Sequence, residues 1–129
     1  MKKHILSVDD EPAIRELLQE ALTSKGYRVS TAAGFDQANK IVMEDPPHLI
    51  ILDIQIEEGD GFVLIEEFQK VVPTAPILLL TGVVLDPQAV RDIIQKKAAS
   101  YLAKPASLST IVSEVRRLLG DPQDDPALS

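Results

Sequence analysis

Four apolar runs in this 129-residue chain stop at residues that can do chemistry. The run from Lys3 to Val8 stops at Asp9-Asp10-Glu11, and the run from His48 to Leu52 stops at Asp53. Pro76 to Leu80 stops at Thr81-Gly82, and Ser100 to Ala103 stops at Lys104-Pro105. If the runs are parallel strands of one α/β sheet, ligands bind outside their carboxyl ends. Three carboxylates, a hydroxyl and an ammonium then converge on one rim. Two unit charges about 4 Å apart repel by roughly 4 kcal/mol at an effective dielectric near 20, so a trio of carboxylates calls for a cation. Ligation by carboxylates, waters and a phosphate oxygen is the habit of Mg²⁺. Zinc prefers nitrogen or sulfur, and His4 and His48 fall inside or at the start of strands, away from this rim. Singly, each residue has an ordinary structural reading: a helix cap for Asp9-Asp10, a loop aspartate, a turn threonine, a solvated lysine. Their joint placement at the ends of four different strands makes a site.

The elements that hold these residues alternate strand and helix along the whole chain, as stacked βαβ units do. Ile14, Leu17, Leu18, Ala21 and Leu22 form one apolar stripe of a first helix, with Asp10 as its cap, Pro12 in its first turn and Gly26 just past its end. Tyr27 to Thr31 alternates as an edge strand would. A second helix covers about Phe35 to Glu44, and Pro46-Pro47 breaks the chain before the Asp53 strand. Phe62, Ile65, Phe68 and Val72 face inward from a third helix. A fourth opens at Asp86-Pro87 and buries Val90, Ile93 and Ile94. The fifth carries Leu108, Ile111, Val112, Val115, Leu118 and Leu119, and Gly120 ends it. Residues 1–120 thus read as one domain, and 121–129, with two prolines and three aspartates, as a flexible tail or the start of a linker.

Composition narrows the function classes. There is no cysteine, which excludes disulfides, zinc–thiolate sites and thiol nucleophiles. A net charge of -7 argues against a nucleic-acid surface, which needs clustered Lys and Arg. Asp9 and Asp10 cut short the apolar stretch after Lys2-Lys3, and no run is long enough to span a membrane, so the default location is cytoplasmic.

The segments Val8-Asp9-Asp10-Glu11-Pro12, Leu52-Asp53-Ile54, Asp60-Gly61, Leu80-Thr81-Gly82 and Tyr101-Leu102-Ala103-Lys104-Pro105, in this order and spacing, closely resemble the receiver domain of two-component response regulators. The resemblance runs from about Lys3 to Leu119. It implies a flavodoxin-like (βα)5 fold, doubly wound, with a five-stranded parallel sheet of order 2-1-3-4-5. It also implies a phosphoacceptor switch: Asp53 takes a phosphoryl group from the histidine of a sensor kinase or phosphotransfer protein. By the same resemblance Asp10, Asp53 and the backbone carbonyl of Gln55 ligate Mg²⁺, with Asp9 helping through water. Lys104 pairs with the phosphoryl group, Thr81 hydrogen-bonds it, and Tyr101 changes rotamer with Thr81. The face of the fourth helix, last strand and fifth helix then controls an output domain or protein. Only self-phosphorylation and slow autodephosphorylation are expected, not enzymatic turnover. A phosphorylation-dependent dimer is left open, as is whether an output domain follows.

Some positions depart from the family's habit. Glu57 stands where proline is usual, Lys97 where glycine is common, and Ala106 where an aromatic often follows Lys-Pro. The stretch from Thr81 to Lys104 is one residue longer than expected. The alternative function is a Mg²⁺-dependent phosphohydrolase with an aspartyl-phosphate intermediate. Haloacid-dehalogenase-type enzymes place an acid/base aspartate two residues after the nucleophile; here that residue is Gln55, which cannot transfer the proton. A nucleotide-binding module lacks its sign, since neither G-x-G-x-x-G nor a P-loop occurs.

Overall fold

Continuous burial on both faces is the fate of the central apolar runs. The computed structural model describes residues 2–53, 61–81, 88, 91, 100–103 and 107–120. Within them β1 (His4–Val8), β2 (Arg28–Ala32), β3 (Leu49–Leu52), β4 (Ile77–Thr81) and β5 (Ser100–Ala103) form one sheet of order β2-β1-β3-β4-β5. Every pairing is parallel, as expected for a flavodoxin-like sheet. The helices are α1 (Pro12–Ser24), α2 (Phe35–Glu44), α3 (Gly61–Val71) and a C-terminal helix (Leu108–Leu119). Of the expected fourth helix, residues 88 and 91 are helical; the rest of it, with Val90, Ile93 and Ile94, lies outside the described residues.

Period-two alternation divides the core into two layers. Leu6, Val8, Ile50, Leu52, Ile77 and Leu79 point to one side and pack with Ala38 and Val42 of α2 and with Ile65 and Phe68 of α3. Ile5, Leu49, Ile51, Leu78 and Leu80 point to the other, against Leu18 and Leu22 of α1 and Ile111 and Val115 of the C-terminal helix. Helices on both faces explain why β1 and β3 read as unbroken apolar runs, with every residue buried. β2, at the edge, is mostly half-buried.

The helix ends show where local sequence rules hold and where they fail. Pro12 occupies the first turn of α1, but the N-cap is Glu11, without a side-chain cap bond. Asp10 therefore does not cap the helix. The Glu11 N–H instead donates to Asp9 Oδ1 at 2.9 Å, and Asp10 is free for other use at the rim. At the other end Gly26 takes φ 102, its N–H donates to Thr23 O at 3.0 Å, and the Tyr27 N–H donates to Leu22 O at 3.2 Å. This paired arrangement closes a helix through a left-handed glycine. Tyr27, read as the first residue of an edge strand, is instead buried before β2 begins, and its hydroxyl donates to Gly120 O at 2.9 Å. The Lys3 ammonium donates to Leu119 O. Two carbonyls at the end of the C-terminal helix thus find partners far away in sequence. Leu17, placed on the inward stripe of α1, is 48% exposed. The stripe spans roughly 140° at 100° per residue, and its Leu18–Leu22 side is the side the core covers. Among the described residues no helix is long and apolar enough to cross a membrane.

Candidate functional site at the carboxyl rim

Ladder bonds carry the strand geometry one residue past the strand ends. Val8 is in register with both Ala32 and Leu52. The Asp9 N–H then donates to Ala32 O at 3.1 Å, and the Asp53 N–H donates to Val8 O at 3.1 Å. Asp9 and Asp53 therefore leave the sheet side by side, at the point where the strand order reverses from β1–β2 to β1–β3. Ligand-binding crevices open at such switch points.

Asp9, Asp10, Glu11 and Asp53 each offer a carboxylate oxygen, and these oxygens lie within 4.8 Å of one another. Asp9 and Asp53 are each 2% exposed, Asp10 is half-buried and Glu11 exposed. At 4.8 Å and an effective dielectric near 20, each ionised pair repels by about 3.5 kcal/mol. An all-oxygen, acidic, partly buried donor set is what a hard divalent cation takes, so the residues fit Mg²⁺. The three aspartates singled out in the sequence come together as expected. Glu11, which sequence reasoning left without a role, joins them; its adjacency to Asp10 was the available signal.

Arg15 was missed altogether. It lies on α1, half-buried, and its Nη1 donates to the main-chain oxygen of Asp9 at 2.6 Å. Nothing in the chain order marks it, because the residue looks like one more charge on a polar helix face.

The remaining expected residues are placed by the backbone or lie outside the description. Thr81 is the last residue of β4 and pairs in register with Ala103. That register puts Thr81 at the same carboxyl rim, and Lys104 follows Ala103 directly in the chain. Lys104 and Gln55 lie outside the described residues, as do Glu57, Lys97 and Ala106. Tyr101, opposite Leu79, is half-buried against the core layer that contains Leu79, Ile77 and Leu52. Beside it in β5, Ser100 is buried and donates to Glu114 Oε2 on the C-terminal helix. Glu114 also accepts from Arg117 Nε at 2.6 Å and Nη2 at 2.9 Å. The Arg117 bonds first, and the Ser100 bond second, hold the Glu114 carboxyl down at about 2.

The two histidines take no part. His4 is buried at the start of β1, at the end of the sheet opposite the acidic rim, with Nε2 2.7 Å from Ser30 Oγ. Burial, and next the nearby Arg28, lower its pKa. His48 Nδ1 accepts the His4 backbone N–H at 2.9 Å. Both are structural, as their strand positions suggested.

Comparison with known proteins decides the kinship. The family model of the response regulator receiver domain matches residues 5–116. The chain belongs to this family. It is 35% identical over 112 residues to the transcriptional regulatory protein GlrR of Escherichia coli K12, covering 87% of this chain and 25% of that protein. The chain thus spans a quarter of that relative's length, and about half of the next kind, such as the probable transcriptional regulator ycf27 of Cyanophora paradoxa, 36% identical over 129 residues that cover 99% of this chain and 52% of that protein. Among solved structures, a response regulator protein from Burkholderia pseudomallei, determined with a phosphorylated aspartic acid, a calcium ion and citrate, superposes with a TM-score of 0.77 at 30% identity, over 89% of this chain and 71% of that one. The receiver therefore carries an acidic pocket of Asp9, Asp10 and Asp53 consistent with a phosphoaspartate site. Receiver domains are typically signalling modules rather than enzymes.

Proposed function

We propose that this receiver is a phosphorylation switch in which Asp53 accepts a phosphoryl group from a phosphohistidine on a sensor kinase or phosphotransfer protein. The observation that carries the reading is the buried Asp53 carboxylate at the switch point, within 4.8 Å of three further carboxylates. An oxygen of Asp53 attacks phosphorus, the new P–O bond forms an acyl phosphate, and the P–N bond to the donor imidazole breaks. Asp10, Asp53 and the Gln55 carbonyl would hold Mg²⁺, with Asp9 acting through water. The ion, when bound, supplies positive charge against the phosphoryl oxygens. Lys104 pairs with the same oxygens as a point charge, and the Thr81 hydroxyl donates to one of them.

The receiver unit is residues 1–120. The face of the fourth helix, β5 and the C-terminal helix, around Tyr101, carries the signal onward. Only contacts that differ between two states can bias them. Two new hydrogen bonds from Thr81 and Lys104, one charge-assisted, give roughly 2 to 4 kcal/mol. Driving 1:99 to 99:1 needs about 5.5 kcal/mol, so the shift in population is partial. The Burkholderia relative, determined with a phosphorylated aspartic acid and a calcium ion, supports aspartate phosphorylation in a receiver of this kind.

The test separates a switch from a phosphohydrolase by stoichiometry. Incubated with acetyl phosphate and Mg²⁺, the chain should gain one phosphoryl group by intact mass while releasing little inorganic phosphate. Many phosphates released per chain each minute would instead favour the hydrolase.

A further inference from the structure

We propose that Arg15 is a positioning residue for the cation site, acting through the main chain of Asp9. The inference rests on the reading that Mg²⁺ binds at Asp10 and Asp53. Asp9 stands one residue beyond β1, and three of its polar groups are fixed. Its N–H donates to Ala32 O at 3.1 Å, and its Oδ1 accepts the Glu11 N–H at 2.9 Å. Its carbonyl accepts from Arg15 Nη1 at 2.6 Å. The first bond belongs to the sheet and the second to the turn itself. The third ties the turn to a side chain of α1, six residues on, beside the main-chain bond from the Arg15 N–H to Glu11 O at 3.2 Å. Among the described residues Arg15 donates to the backbone of the acidic turn, so this bond holds the turn without consuming a carboxylate oxygen.

The guanidinium fits this task. It is charged at every accessible pH, and its rigid fork of donors loses little freedom per hydrogen bond formed. A bond from a charged donor is also stronger than a neutral one. In its absence the Asp9–Glu11 turn carries three carboxylates that repel one another and Asp53. The Arg15 bond to Asp9 O opposes that repulsion by holding the start of the turn against α1.

Charge and position make opposite claims about this residue. By Coulomb's law alone, deleting a cation beside an acidic cluster tightens the binding of another cation. Loss of the support that orients metal ligands does the reverse, typically weakening metal binding 10- to 100-fold. The inference is that position wins.

Calorimetric Mg²⁺ titration of the full chain decides it, alongside amide hydrogen exchange at Glu11 in the metal-free protein. Arg15→Met keeps the aliphatic stem and should bind Mg²⁺ about tenfold more weakly, with faster exchange at Glu11. Arg15→Lys, which keeps the charge and a donor, should recover part of both. Unchanged or tighter Mg²⁺ binding by Arg15→Met would overturn the proposal, and so would weaker binding with unaltered Glu11 exchange. The two readings fail separately. A wild-type chain whose Mg²⁺ affinity is indifferent to Asp10→Ala would remove the cation site and this inference with it. A wild-type chain that depends on Asp10 but not on Arg15 would remove this inference alone.

Discussion

Replacing Asp53 by asparagine is expected to stabilise the metal-free protein, because the residue sits where function, not folding, wants a charge. Asn keeps the size of the side chain and replaces the carboxylate with a neutral amide. Of the three pairs Asp53 forms in the cluster, the pair with Asp9 joins two residues each 2% exposed, and Asp10 and Glu11 are closer to solvent. The Asp9 pair alone is worth about 3.5 kcal/mol at 4.8 Å and an effective dielectric near 20. Screening at the open rim reduces the net gain to about 1–3 kcal/mol. Urea unfolding at pH 7 in EDTA reads this directly. With a slope near ~2 kcal/mol/M, the midpoint should rise by about 0.5–1.5 M. Saturating Mg²⁺ should then narrow or reverse the difference, since a ligand at one hundred times its Kd adds about 2.7 kcal/mol to the form that binds it. A lower midpoint for Asp53→Asn in EDTA would refute the picture of a strained acidic cluster.

Three further outcomes follow from the same structure. Glu114, held at about 2 against an ordinary 4.5, contributes stability that is fully present above pH 4.5 and lost as pH falls through about 2. Glu114→Gln should therefore cost about 1 kcal/mol at neutral pH, with the gap in urea midpoint less than half as large by pH 3; an equal gap at both pH values would contradict this. Tyr27→Phe removes the donor to Gly120 O and should cost about 1–2 kcal/mol, with faster amide exchange in the last turn of the C-terminal helix as the local sign. Beryllofluoride, mimicking the phosphoryl group, should shift the amides of β5 and the C-terminal helix beyond the pocket; if α1 and α2 moved most, the proposed output face would be wrong.

The fold was legible because its signals are local or periodic. The runs before Asp9, Asp53, Thr81 and Lys104 became β1, β3, β4 and β5, and the stripes of the first, second, third and last helices became helices within a residue or two of the expected ends. What escaped was set by contacts across the chain. Tyr27 and Lys3 reach Gly120 and Leu119, 93 and 116 residues away, and no local pattern encodes such a meeting. Leu17 was misplaced because an apolar stripe marks the side of a helix that can be buried, while the sheet decides how much of it is. Asp10 was read as a cap because an aspartate just before a first-turn proline is a common cap, while here the Glu11 N–H bonds Asp9 instead. Arg15 escaped for a related reason: its bond is to a backbone atom, which leaves no complementary residue type in the sequence.

The central proposal is that Asp53, and no other residue, becomes the acyl phosphate. After phosphorylation with acetyl phosphate and Mg²⁺, borohydride reduction of the acyl phosphate converts the modified aspartate to homoserine, and peptide mass spectrometry locates it. The expected result is homoserine at position 53 and nowhere else, and no conversion in Asp53→Asn. Conversion at Asp9 or Asp10 in the wild-type chain, or an undiminished adduct in Asp53→Asn, would contradict the central claim.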